Sequence, residues 1–242
     1  MKPSQRFWQI DFWRGVTVLL MVFFNWSFTL FFLNVYKLDL GNLYWIIFPQ
    51  FIGGSFIFLA GLSVVLSSKR TKNPNLKKKY FFRGAKIFLL GLGITLLTFL
   101  SFPSYTIVFG ILHLIGFSIF VSPLFFKLKE LKLFLAAIIL ISGFSFQSIF
   151  VNSPYFFPIG LVNRNFQTFD YWPILPWFGI FLLGMYFGEL FYYRKSNTII
   201  SSENKSIAMK GFCLLGRNSL KIYLIHQPIL VLILFVLGFT IF

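Results

Sequence analysis

Acid is scarce in this chain: 6 Asp and Glu stand against 22 Lys and Arg, giving a formal net charge of +16 at pH 7 over 242 residues. Histidine is scarcer still, with two, and Cys213 is the single cysteine. One cysteine excludes an internal disulfide and a thiolate metal cage. No carboxylate–histidine cluster shows ligand spacing, so no metal is expected, and neither a Gly-rich phosphate loop nor an internal repeat is present. One domain of packed helices over residues 1–242 is the economical description. Charge of either sign makes up only 12% of the chain, whereas 57% is hydrophobic and 37 residues are Phe. That is more apolar surface than one soluble core of this length can hide, and the outer surface is expected to face lipid.

The cations are placed unevenly. Twenty of the 22 fall before or between long apolar runs at Lys2 to Arg14, Lys69 to Lys86, Lys127 to Lys132 and Arg194 to Lys221; only Lys37 and Arg164 lie in the alternate loops. If the runs are spans, those twenty face one side, which by the positive-inside rule is the cytoplasm. Such short basic loops suit anionic headgroups better than nucleic acid, so the lipid bilayer is the expected partner. The expectation is a multi-pass protein of the cell membrane whose first run stays as an anchor rather than a cleaved signal.

A bilayer core takes roughly 20 apolar residues per helix. Seven runs qualify: Phe12 to Leu33, Tyr44 to Ser67, Lys86 to Phe102, Thr106 to Phe126, Leu133 to Val151, Trp172 to Tyr193 and Ser219 to Phe242. The fold class predicted is an all-α bundle of about seven transmembrane helices, N-terminus cytoplasmic and C-terminus outside. Phe102 to Tyr105 reads as a tight outer turn and Lys127 to Lys132 as a tight inner one. The longest outer loop, Asn152 to Tyr171, is too rich in aromatics for a free linker and is expected to fold over the outer face as a lid. The stretch from Phe212 is too long for one upright span, so its start is expected along the inner interface before Pro228 bends the chain inward. Gly61, Gly84, Gly91, Gly184 and Gly188 mark places where helices can approach closely.

Function is sought among polar groups at membrane depth, because each costs about 2.5 to 3.5 kcal/mol at a helix centre unless paired or wet. Asp11 and Arg14, three apart, can pair at the cytoplasmic mouth. Asn25 lies eleven residues from Arg14, within roughly 20° of the same helix face and about 16 Å further along. His113 is placed about 10 Å inside its span, where a dry imidazole serves as a neutral base. His226 stands beside Gln227 and Pro228; the proline frees the Leu224 carbonyl, so both side chains can also be read as partners of a broken helix. Glu189 reads as interfacial and solvated. Each of the others has an equally plain structural reading, an interfacial anchor or an interhelical hydrogen bond.

Several stretches resemble the heparan-alpha-glucosaminide N-acetyltransferase catalytic-domain family, in its small prokaryotic branch. They are Arg6-Phe7-Trp8-Gln9-Ile10-Asp11-Phe12-Trp13-Arg14-Gly15 with Leu20 to Asn25, Phe58 to Ser63, Phe109-Gly110-Ile111-Leu112-His113-Leu114-Ile115-Gly116, Asp170-Tyr171-Trp172-Pro173 through Gly179, and Leu215 to Leu220. They run in order along nearly the whole chain. The resemblance implies a transmembrane acyltransferase that takes an acetyl group from cytosolic acetyl-CoA, or another acyl-CoA, and passes it to an amine or hydroxyl of a sugar or glycolipid on the far side. In the wider acyltransferase-3 group an arginine and a histidine stand eleven apart; Arg14 matches the arginine and Asn25 stands where that histidine would be. The chain departs from the lysosomal enzyme in its first outer loop, where Asn34 to Asn42 holds no histidine. It also has fewer spans, and a second copy, as a homodimer, would supply a missing wall.

The mechanism expected from these residues puts CoA phosphates on Arg14, Lys77, Lys78, Lys79, Arg83 and Arg217, with Asp11 orienting Arg14. His113 would act as general base, Asn25 would donate to the thioester oxyanion, and His226 would protonate or orient near the donor. Asp170, Trp172 and Arg164 at the outer mouth are the candidates for holding the acceptor. The competing reading is a non-enzymatic protein, a lipid or solute transporter or a relative without chemistry; the missing loop histidine favours it, and the lack of repeat symmetry speaks against it.

Overall fold

The computed structural model of the chain describes residues 7–32, 42–70, 75–146, 149–153, 155–195 and 206–238. Arg6, Lys37 and the histidine-free outer loop lie outside them, apart from Asn42. Eight α-helices are found among the described residues: α1 (Trp8–Phe32), α2 (Leu43–Arg70), α3 (Leu76–Ser101), α4 (Ile111–Val121), α5 (Leu131–Phe146), α6 (Ile174–Lys195), α7 (Ile207–Arg217) and α8 (Ser219–Val236). Two isolated bridges, Phe109 with Tyr171 and Phe150 with Val162, are the extent of β-pairing there. The fold is an all-α membrane bundle. Helices α1, α2, α3, α6 and α8 are long and apolar enough to cross a bilayer, while α4 and α5 are apolar but shorter, at 11 and 16 residues. Leu89, Leu96, Leu97 and Leu100 of α3 are all more than half exposed, as a lipid-facing surface requires.

Three sequence expectations shift. The fourth helix starts at Ile111 rather than Thr106: Phe102–Tyr105 make the tight turn, with Tyr105 N–H on Phe102 O (3.0 Å), but the backbone that follows pairs with the loop before α6 through Trp172 N–H to Phe109 O (2.9 Å) and Phe169 N–H to Tyr105 O (3.2 Å). At its other end Pro123 cannot continue an α-helical ladder, and the chain tightens into the 3-10 turn Ser122–Phe125. The C-terminal run breaks at Asn218, giving α7 and α8, and Pro228 is carried inside α8 rather than marking the bend.

The chain divides into two compact units, Met1–Phe56 with Ile200–Phe242, and Ile57–Ile199. In the first, α1 packs on α7 and α8, and Phe24 meets Tyr44, Trp45 and Phe48 at the start of α2. In the second, α3 packs on α4, α5 on α6, and the latter part of α2 on α6. That last contact is backbone-close: a Cβ on Gly184 would overlap the Phe58 carbonyl, and one on Gly61 the Phe181 carbonyl. The Tyr80 hydroxyl donates to Val64 O at 3.1 Å, tying α3 to α2.

Glu189 is not solvated. Its Oε2 lies 2.9 Å from Lys132 Nζ, with the lysine side chain fully buried and the glutamate 13% exposed, and Lys132 also donates to Phe125 O at 3.3 Å. A lysine read as a loop cation is thus drawn into the α5–α6 interface, because a carboxylate at that depth needs a partner.

The loop before α6 is packed on itself. Val151 N–H donates to Val162 O (3.0 Å), Ile174 N–H to Pro158 O (2.8 Å) and the Tyr171 hydroxyl to Phe157 O (2.6 Å). Burial pushes the Tyr171 hydroxyl well above the ordinary phenol value.

Candidate functional site

The candidate residues gather in two places, one in each unit. In the first unit, Gly15 and Gly216 let α1 and α7 cross with their backbones almost touching, since a Cβ on Gly216 would overlap the Asp11 carbonyl. That crossing sets Arg217 beside Asp11, Nε to Oδ2 3.3 Å, with the carboxylate buried and the guanidinium half exposed. Arg217 comes to Asp11 from 206 positions away, a partner that the spacing within α1 does not indicate. Arg14 is partly buried on the same helix, and the Cys213 thiol, at 3.5 Å, donates to Trp8 O.

Further along α1 a chain of hydrogen bonds leads into α8. Asn25 Nδ2 donates to Met21 O (2.9 Å), which uses one of its two N–H groups. Thr29 Oγ1 donates to Asn25 O (2.7 Å) and accepts from Gln227 Nε2 (3.1 Å). Beside Gln227, His226 places Nδ1 2.7 Å from Tyr223 O. A carbonyl can only accept, so Nδ1 carries the proton and the neutral ring has its lone pair on Nε2. His226 Nε2 and Gln227 Oε1 are both buried and have no hydrogen-bond partner among the described residues.

The second place is the N-terminus of α4. The helix begins after Gly110, which has no side chain to cap it, and Asp170 does so from the loop before α6: its Oδ2 accepts from Ile111 N–H at 3.0 Å and its Oδ1 from the Trp172 indole at 2.5 Å. A Cβ on Gly110 would press on that carboxylate. Three residues into the turn, His113 returns the favour of a capping-box glutamate, its Nδ1 accepting from Gly110 N–H at 3.1 Å. Nδ1 is therefore bare, and Nε2–H donates to Thr95 Oγ1 (3.2 Å), whose own hydroxyl donates to Ile107 O (2.6 Å). The ring is 1% exposed, lies between Phe88 and Phe109, and rests against Gly91.

Two sequence expectations for His113 are corrected by this geometry. It sits in the first turn of its helix rather than deep within it, and both ring nitrogens are occupied, so no lone pair is open to a substrate. Asp170 and Trp172 are directly bonded, whereas the exposed Arg164 lies over the Phe150 ring, its guanidinium carbon 5.5 Å from the centroid. Lys77, Lys78 and Arg83 are exposed around the first turns of α3, and Lys79 donates to Ser67 Oγ at 3.4 Å. Sequence reasoning missed Thr29, Thr95 and the Asp11–Arg217 pair, since helical periodicity relates residues within one helix and carries no signal across helices.

Among the described residues no three His, Cys, Asp or Glu side chains gather as metal ligands. No curated protein and no solved structure matches the chain. Residues 6–228 match the family described as heparan-alpha-glucosaminide N-acetyltransferase, catalytic. With the match covering most of the chain, itself an all-α membrane bundle, the chain belongs to the heparan-alpha-glucosaminide N-acetyltransferase catalytic family, a family of transmembrane acetyltransferases.

Proposed function

We propose that the protein is a transmembrane acyltransferase that draws an acetyl or other acyl group from cytosolic acyl-CoA and delivers it to an amine or hydroxyl of a sugar or glycolipid on the opposite side of the cell membrane. The observation that carries the reading is the polar series along α1: Asp11 with Arg217 at the basic end, then Asn25 and Thr29, joined to α8 through Gln227. Arg217 is half exposed, so its guanidinium can engage a phosphate while Asp11 keeps it oriented. Asp11 and Asn25 are 14 positions apart on a continuous helix, about 21 Å of rise, a span that suits a carrier whose anionic end and thioester end are widely separated. Arg14 adds a second cation on α1. In the other unit, Lys77, Lys78, Lys79 and Arg83 cluster at the positive end of α3, whose dipole adds to the attraction for anions.

At the far end of the series Asn25 has an N–H left over from its bond to Met21, and that donor would stabilise the thioester oxyanion. In the other unit, Asp170 and Trp172, fixed by each other, and Arg164 on the same loop are the groups proposed to contact the acceptor. His113 serves this reading as the residue that secures the start of α4. A second copy of the chain would complete the bundle as a homodimer.

The test is acetyl-CoA itself. Purified protein in nanodiscs should show saturable thermal stabilisation by acetyl-CoA and transfer of its labelled acetyl group to one of a panel of amino sugars and glycolipids. Absence of both at millimolar donor, with counterflow of a solute in vesicles, would replace the transferase with a transporter.

A further inference from the structure

We infer that His226 is the proton acceptor for the acyl-accepting substrate, a molecule that presents an O–H or N–H to a bare imidazole nitrogen in the α1–α8 unit. This deepens the transferase reading and rests on it.

The chain has two histidines, and the structure gives them opposite states. His113 is satisfied at both nitrogens by Gly110 and Thr95. His226 is satisfied at one, through Tyr223 O, and its Nε2 is buried without a partner among the described residues. A buried acceptor left without a donor forfeits the hydrogen bond it would make to water, a loss that most buried positions avoid. The backbone carbonyl of Tyr223 fixes the tautomer, because moving the proton to Nε2 would set the Nδ1 lone pair against a carbonyl oxygen. His226 therefore holds the form a general base needs before substrate arrives.

Its neighbours position it. Gln227 follows directly and is bonded to Thr29, which is bonded to the carbonyl of Asn25, so the α8 turn that carries His226 is held against the α1 turn that carries the proposed oxyanion donor. In the step this assigns, the acceptor nitrogen or oxygen forms a bond to the acyl carbon of the acyl-CoA while its proton passes to His226 Nε2. The acyl C–S bond then breaks, and the CoA sulfur leaves with the proton that the imidazolium returns. The products are the acylated acceptor and free CoA thiol.

Because only two imidazoles are present, nitrogen-15 histidine labelling reads both directly. In nanodiscs His226 should show a protonated Nδ1 with a bare Nε2, and His113 the reverse. Octyl glucosaminide should move the Nε2 resonance of His226 and leave His113 in place. His226→Gln, which is polar but has no basic nitrogen, should lower acetyl transfer about 100-fold or more while thermal stabilisation by acetyl-CoA persists. A protonated Nε2 on His226, or wild-type transfer in His226→Gln with normal donor stabilisation, overturns the assignment and leaves the transferase standing. Loss of acetyl-CoA stabilisation and transfer in the wild-type protein overturns the transferase and this assignment with it.

Discussion

Asp170 caps a helix that begins 59 positions earlier in the chain, its Oδ2 3.0 Å from the Ile111 nitrogen while its Oδ1 holds the Trp172 indole. Gly110 leaves room for that carboxylate, and His113 closes the turn from the other side. Asp170→Ala should cost about 1 to 2 kcal/mol in stability, the usual loss for a cap with its dipole contribution. Asp170→Asn should recover part of it. Thermal unfolding followed by tryptophan fluorescence checks both, since Trp172 loses its acceptor in the alanine variant; unchanged melting in Asp170→Ala would contradict the cap.

The buried Lys132–Glu189 pair gives a sharper mutational pattern. Removing one partner leaves an uncompensated charge between α5 and α6, so Lys132→Met alone or Glu189→Leu alone should destabilise by about 3 to 5 kcal/mol. The double variant should melt near the wild-type temperature or above it, because a well-packed apolar pair avoids desolvating both charges. Additive losses in the double variant would mean that the two residues do not interact.

At the α1–α7 crossing, Arg217→Ala should cost about 1 to 2 kcal/mol, below the usual cost of breaking a buried pair because the guanidinium is half exposed. It should also weaken acetyl-CoA stabilisation, and more so at low salt than at high salt. Arg217→Lys should restore less than full affinity, since an ammonium cannot bind a phosphate in bidentate fashion. Equal donor affinity in Arg217→Ala and wild type would remove Arg217 from the donor site.

Tyr171 sets a pH limit on the loop before α6. Its buried hydroxyl ionises at higher pH in the folded chain than in the unfolded one, so the neutral form is the one that folding favours. Its contribution is complete below the ordinary phenol value of about 10 and falls as pH rises through it, because the unfolded state then gains the phenolate first. Stability measured from pH 8 to 11 should decline in the wild type and decline less in Tyr171→Phe. Identical slopes would contradict the buried hydroxyl.

The long helices were legible because they are dictated by apolar length: α1, α2, α3, α6 and α8 fall inside or around runs read from the sequence. The ends of α4 were not, because Gly110 and Pro123 act there through a cap supplied by Asp170 and through a 3-10 turn, neither of which appears in hydropathy. The polar residues themselves were legible by their rarity at depth. Their partners were not, because the Asp11–Arg217 and Lys132–Glu189 pairs and the Thr29–Gln227 bond each join residues from different helices, and the expectation of a solvated Glu189 fails for that reason. The difference between the two histidines, one closed and one open, rests on single hydrogen bonds that no sequence pattern encodes.

The central claim is acyl transfer across a membrane, and one measurement addresses it directly: sealed inverted vesicles holding an amino sugar inside receive acetyl-CoA labelled in the acetyl group from outside. Labelled sugar should accumulate in the lumen, and far less of it in vesicles carrying His226→Gln. Vesicles in which no luminal sugar becomes labelled, although the protein is present and folded, would contradict the account.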